Sequence, residues 1–123
     1  MSPPEEKCVW VYLLESRRGP YYTGWTVDPV ARYRKHLAGK ASKYTSSFTP
    51  RKLAALWKIP GGGRSEAQQV ENFVRRLPRE KKELLTASPG SLEDLFQTIR
   101  QNESALSILA ADPETVEKEA QKG

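Results

Sequence analysis

Five side chains carry reactive or charged groups at spacings that would let them converge: the phenols of Tyr12 and Tyr22, the guanidinium of Arg32, the imidazole of His36 and the carboxylate of Glu71. A turn-forming stretch, Ser16-Arg17-Arg18-Gly19-Pro20, separates the two tyrosines. If that turn centres near Arg17, Tyr12 and Tyr22 stand close to opposite one another on one face of a hairpin. Gly24 shares the face, and a glycine inside a strand leaves room for a close approach. The face then offers two hydroxyls beside a gap. It equally suits two core tyrosines with hydroxyls satisfied at a sheet edge. Arg32 and His36 are four apart on a helix and share one side, which suits a phosphate oxygen and a proton. With Arg34 and Lys35 adjacent, they also describe a solvated basic face. Val30, Tyr33 and Leu37 occupy another arc, directed inward by their spacing. Glu71 falls at the border of an apolar helical arc, four residues after Ala67. A carboxylate there can ligate a hard cation, because Mg²⁺ takes few protein carboxylates and keeps its waters. The alternative is an i, i+4 pair with Arg75, worth about 0.3–0.5 kcal/mol. Glu66 sits where a helix N-terminus favours an acid and reads as structural.

The elements that must position these groups follow from pattern. Lys7–Glu15 is almost wholly apolar from Cys8 to Leu14 and reads as a strand covered on both faces. Tyr21–Thr26, YYTGWT, is a second β-rich run. Asp28-Pro29 starts a helix, with Asp28 capping free amides and Pro29 in the first turn. It runs to about Ala38 and stops at Gly39. Ala41–Pro50 is a polar loop. Leu53–Ile59 is a third apolar strand, ended by Gly61-Gly62-Gly63. Ser65 starts a second helix, with Gln68 completing a capping box and Ala67, Val70, Val74 and Leu77 facing the core. Pro78 interrupts it, and Arg79–Thr86 continues as a short basic helix. Ser91 caps a last helix carrying Leu92, Leu95, Phe96 and Ile99, extending as far as Leu109. Asp112–Gly123 reads as a frayed, charged tail. The order β-β-α-β-α and further helix predicts an α+β fold: a three-stranded antiparallel sheet flanked by helices, with an extra C-terminal helix. Residues 1–88 form the body, and 89–123 an acidic helical extension.

The chain has 123 residues, enough for one domain with a modest core. Hydrophobic content of 37% argues against wholesale disorder, and no apolar run is long enough to span a bilayer, so no membrane partner is expected. MSPPEEK lacks the positive start and apolar stretch of a signal peptide. One cysteine and one histidine exclude an internal disulfide and the common zinc sites, and a reducing, cytoplasmic compartment is expected. Net charge is +5, but residues 1–82 carry 17 Lys and Arg against 7 Asp and Glu, while residues 83–123 carry 3 against 8. A basic body and an acidic tail suit a polyanion-facing surface followed by a segment that does not face it, or simply uneven solvation.

Trp10-Val11-Tyr12, Tyr22-Thr23-Gly24, Thr26, Asp28, Arg32, His36 and Glu71, in this order, resemble the GIY-YIG nuclease domain over roughly residues 7–86. The small stand-alone bacterial members are most similar. Trp10, Val11 and Thr23 differ from the family's motif words at packing positions. The resemblance implies three antiparallel strands flanked by helices and hydrolysis of a nucleic-acid phosphodiester, DNA first, with Mg²⁺ or Mn²⁺ as a single ion. It also implies that Glu71 holds the metal and Arg32 stabilises charge on the phosphate. Tyr12 then activates the attacking water, Tyr22 supports that network, and His36 assists. No targeting module is visible, so low sequence specificity is expected. Lys40, Lys43, Arg51, Lys52, Arg75, Arg76, Arg79, Lys81 and Lys82 are available for backbone contacts, and Tyr44 or Phe48 for stacking on a base. Two further readings stay open. One is a nucleic-acid-binding module that barely cuts. The other is an adaptor whose C-terminal helix docks a protein partner.

Overall fold

The computed structural model describes residues 8–17, 19–38, 50–100 and 106–122. Strands β1 (Cys8–Ser16) and β2 (Tyr21–Thr26) form an antiparallel hairpin. Their register pairs Tyr12 with Gly24 and Leu14 with Tyr22, so the turn centres one residue later than Arg17. Gly19 supplies the left-handed backbone that this turn requires, at φ 106°. Moving the centre by one residue shifts the pairing by two, so Tyr12 and Tyr22 stay on one face but meet diagonally.

Helix α1 (Pro29–Leu37) starts as its sequence dictates, with the amide of Ala31 donating to Asp28 Oδ1 at 3.1 Å. Strand β3 (Pro50–Pro60) lies on the other side of β1 and is longer than its apolar run. A register shift opposite Leu13 and Leu14 skips Ala54. That bulge lets Leu53 and Leu56, three residues apart, both point to the same layer.

Helix α2 (Arg64–Arg76) begins one residue earlier than Ser65, and Glu66, not Gln68, reaches back to the Gly63 amide at 2.7 Å. Helix α3 (Arg79–Ala87) follows Pro78, and a 3₁₀ turn at Pro89–Ser91 leads into α4 (Leu92–Arg100). Trp57 is fully buried, and its indole N–H donates to the Pro89 carbonyl at 2.8 Å.

The C-terminal segment departs most from expectation. Leu109–Ala111 forms β4, which pairs antiparallel with β3, so the sheet has four strands in the order β2-β1-β3-β4. Pro113–Gln121 is a helix, α5, rather than a frayed tail. Asp112 caps it, and Val116 and Ala120 bury against α1 and β3. Arg34 donates to the carbonyls of Glu119 and Ala120 at its far end. A strand covered on both faces needs two layers, and β1 has them. Val9, Val11 and Leu13 pack with α2, α3 and α4, while Tyr12 and Leu14 pack with α1 and α5.

Candidate functional site

Strand β2 is the sheet edge, and the groups of interest gather around it. An open cleft of about 490 Å³ is lined by Tyr12 and Arg32 from one layer, Tyr22 and Gly24 from β2, and Glu71, Arg75 and Lys82 from the other layer. Four of the five reactive candidates therefore line one space, although they come from both sides of the sheet.

Tyr12 is buried at the floor, and its ring lies directly over the Cα of Gly24. A Cβ there would collide with the phenol oxygen and come within 2.5 Å of Cζ. Gly24 is thus required by the tyrosine itself, with backbone conformation playing no part. His36, the fifth candidate, lies behind the cleft. It is 1% exposed, and its Nε2 shares a 2.9 Å hydrogen bond with the Tyr12 hydroxyl. Its ring meets those of Tyr12 and Tyr22 edge-on, with centroids 5.4 and 5.3 Å apart. His36 therefore turns inward with Tyr33, while Leu37 is 44% exposed, which reverses the inward arc expected for Leu37. The reason is tertiary: the hydroxyl of Tyr12 offers His36 a partner inside, and none of that is visible along the helix.

Burial sets the electrostatics. It pushes the Tyr12 phenol above its ordinary range; Tyr22 adds to this, and the Arg32 guanidinium opposes it. It lowers His36 to about 4, with Arg32 contributing, so the imidazole is neutral at pH 7. Neutral Nε2 accepts from Tyr12 when Nδ1 carries the proton, and among the described residues His36 Nδ1 has no hydrogen-bond partner. Burial also raises the Glu71 carboxyl, against the pull of Arg75 at 3.7 Å. Glu71 and Arg75 therefore do make the i, i+4 pair. That pair and a place in the cleft coexist.

The expected backbone cations divide. Arg75 lines the cleft. Arg76 is exposed on α2, and Lys52 on β3 pairs with Glu15 at 3.8 Å; neither is among the lining residues. Lys40, Lys43, Tyr44 and Phe48 lie outside the described residues, as does the side chain of Arg51. Lys82 is singled out from the group: half-buried on α3, it lines the cleft, and burial lowers its ammonium. Trp25 is partly buried and also lines the cleft, as do Tyr21 and Thr23. An edge strand exposes side chains of both faces at its rim, so alternation along β2 could not sort them.

The GIY-YIG catalytic domain matches residues 8–83. The chain belongs to this family. Among similar proteins, the UPF0213 protein BH0048 of Halalkalibacterium halodurans is 42% identical over 81 residues, covering 66% of this chain and 84% of that one. The UPF0213 protein VNG_2274C of Halobacterium salinarum is 39% identical over 75 residues, 61% of this chain and 95% of the other. The solution NMR structure of BH0048 aligns with a TM-score of 0.40 at 37% identity, covering 73% of this chain and 95% of that one. Among the described residues of this GIY-YIG chain, no group of three or more His, Cys, Asp or Glu could hold a metal ion, and no helix is long and apolar enough to cross a membrane.

Proposed function

We propose that the cleft binds a phosphodiester of nucleic acid, DNA in the leading case, and hydrolyses it with one Mg²⁺ or Mn²⁺ at Glu71. The observation that carries this is the lining of a single open space by a carboxylate raised by burial, two guanidinium groups and the phenols of Tyr12, Tyr21 and Tyr22. A lone carboxylate beside hydroxyl oxygens fits a hard cation that keeps most of its waters, and does not suit an all-protein cage. Glu71 would hold the ion. When bound, the ion supplies Lewis-acid stabilisation of charge developing on the phosphoryl oxygens.

The protein groups have their own work. A phosphodiester is an anion that repels nucleophiles, and Arg32 and Arg75 offset its charge in a partly desolvated cleft. The Tyr12 hydroxyl holds its proton at pH 7, and its 2.9 Å hydrogen bond with the neutral His36 Nε2 fixes the direction in which that hydroxyl points. Tyr22 and His36 wall the phenol in and fix its ring. The test is nicking of branched, nicked and single-stranded DNA with Mg²⁺ or Mn²⁺, comparing the wild type with Glu71→Ala and Arg32→Ala. Loss in both variants supports hydrolysis at this site. Equal activity in all three assigns it elsewhere.

A second reading is a module that binds the backbone but barely cuts. It is favoured by the Tyr12 phenol lying well above its ordinary range and by Glu71 being, among the described residues, the one acid lining the cleft, already paired with Arg75. It expects salt-sensitive binding that is unchanged in Glu71→Ala, with no metal-dependent product. For a protein partner at the C-terminal helix, α5 has only its acidic outer face to offer, since Val116 and Ala120 are occupied inside the chain.

A further inference from the structure

Several cations of the described surface are paired. Arg75 faces Glu71, Arg79 faces Glu83 at 3.0 Å, Lys52 faces Glu15 and Lys122 faces Glu119. Lys82 is different. It is half-buried, lines the cleft, and among the described residues makes no ion pair or hydrogen bond. An ammonium group that has lost part of its water and gained no acceptor is unfavourable in the free protein. Burial accordingly depresses its proton affinity, and among the described residues no acid offsets that effect.

Its placement is built. Arg79, one helical turn earlier, donates from Nη1 to the Gly19 carbonyl at 2.9 Å and stacks 5.1 Å over the Tyr21 ring. These contacts clamp the first turn of α3 against the β1–β2 turn. Lys82, three residues on, then faces the cleft that Arg75 also lines. Lys81, its neighbour, instead lines a separate groove between α3 and α4. The clamp thus selects which lysine of the Lys81-Lys82 pair the cleft receives.

We propose that Lys82 is the centre of a second anion subsite in the cleft, on the α3 side of the edge strand, where it takes the phosphate adjoining the one held at Glu71 and Arg32. Arg75 and Trp25 line the same cleft. The ligand is a phosphodiester of a nucleic-acid strand, because one continuous open cleft serves both subsites. This rests on the nucleic-acid reading of the cleft, and it adds a residue that fixes where along the strand the reacting phosphate sits. An unpaired cation here gains its counter-charge only when the strand is in place.

The test uses the full chain with EDTA present, so that no cutting intervenes. The side-chain methylene signals of Lys82, assigned with Lys82→Gln, are followed by NMR during titration with inorganic phosphate and, separately, with a single-stranded oligodeoxynucleotide. In parallel, oligonucleotide affinity is measured against salt for the wild type, Lys82→Gln and Lys81→Gln. The expected result is a Lys82 shift with both ligands. The slope of log affinity against log salt should flatten by about 0.7–1 in Lys82→Gln and stay unchanged in Lys81→Gln. If the oligonucleotide binds but Lys82 does not shift and the slope persists, the subsite is refuted and the nucleic-acid reading survives. If phosphate shifts Lys82 while no oligonucleotide binds, the anion site stands and the nucleic-acid reading falls. If neither ligand moves Lys82 or binds, both fall.

Discussion

Replacing Gly24 with alanine tests the packing on which the cleft depends. The added methyl would lie 2.5 Å from Tyr12 Cζ and 3.0 Å from Cε2, where ordinary contact is 3.4–4 Å. The ring must therefore retreat by close to an ångström. It has little room, being 3% exposed and walled by Tyr22 and His36. Overpacking a close-fitted site costs about 1–3 kcal/mol. Retreat also breaks the bond to His36 Nε2, adding about 1 kcal/mol for a buried hydrogen bond. The total is about 2–4 kcal/mol. At about 3–5 °C per kcal/mol for a chain of this size, Tm should fall by roughly 6–20 °C. Thermal unfolding by circular dichroism measures it. The decisive comparison is a double-mutant cycle with Tyr12→Phe, which removes the atom nearest the new methyl. Gly24→Ala should cost clearly less in the Phe background, with a coupling of about 1 kcal/mol or more. A single variant with unchanged Tm, or strictly additive effects, would refute the argument that Tyr12 dictates the glycine.

Three other outcomes are expected. Because burial holds the folded carboxyl of Glu71 above its ordinary value, its ionisation opposes folding as pH rises from 4.5 upward. Glu71→Gln should match wild-type stability near pH 3.5 and exceed it at pH 7 in urea unfolding, while metal-dependent nicking is lost. The folded His36 titrates near 4 against 6.5 when unfolded, so its contribution is complete above 6.5 and lost as pH falls toward 4. The full span is about 3 kcal/mol. As the chain's single histidine, it gives one imidazole NMR signal that should stay neutral at pH 5.5, and a midpoint near 6.5 would contradict this. Arg34→Ala removes two donors from the carbonyls at the end of α5, which should cost about 1 kcal/mol and speed amide exchange in that helix; unchanged exchange would show that the contact is idle.

Local pattern was enough to read three strands and most helix starts. The apolar run at Cys8–Leu14 needs cover on both sides wherever it lies, and Asp28-Pro29 begins a helix by its own backbone chemistry. The diagonal meeting of Tyr12 and Tyr22 was half legible: parity placed them on one face, but the exact pairing depended on Gly19 and the length of the turn. The short strand β4 was not legible, because Leu109-Ala110-Ala111 carries little intrinsic preference and becomes a strand only against the free edge of β3. Helix α5 is illegible for a similar reason: its charged sequence hides two small apolar positions whose partners lie on α1 and β3.

The candidate site divides along the same line. Residue types and order were enough to nominate the phenols, Arg32, His36 and Glu71, because each group's chemistry is intrinsic to its side chain. Their division into a cleft and its backing came from tertiary structure alone. His36 turns inward to Tyr12, while Arg32 and Glu71 reach one space from opposite layers around the edge strand. Spacing along a helix gives direction only relative to that helix; what lies in that direction is decided when the sheet orders its strands and the layers close over it.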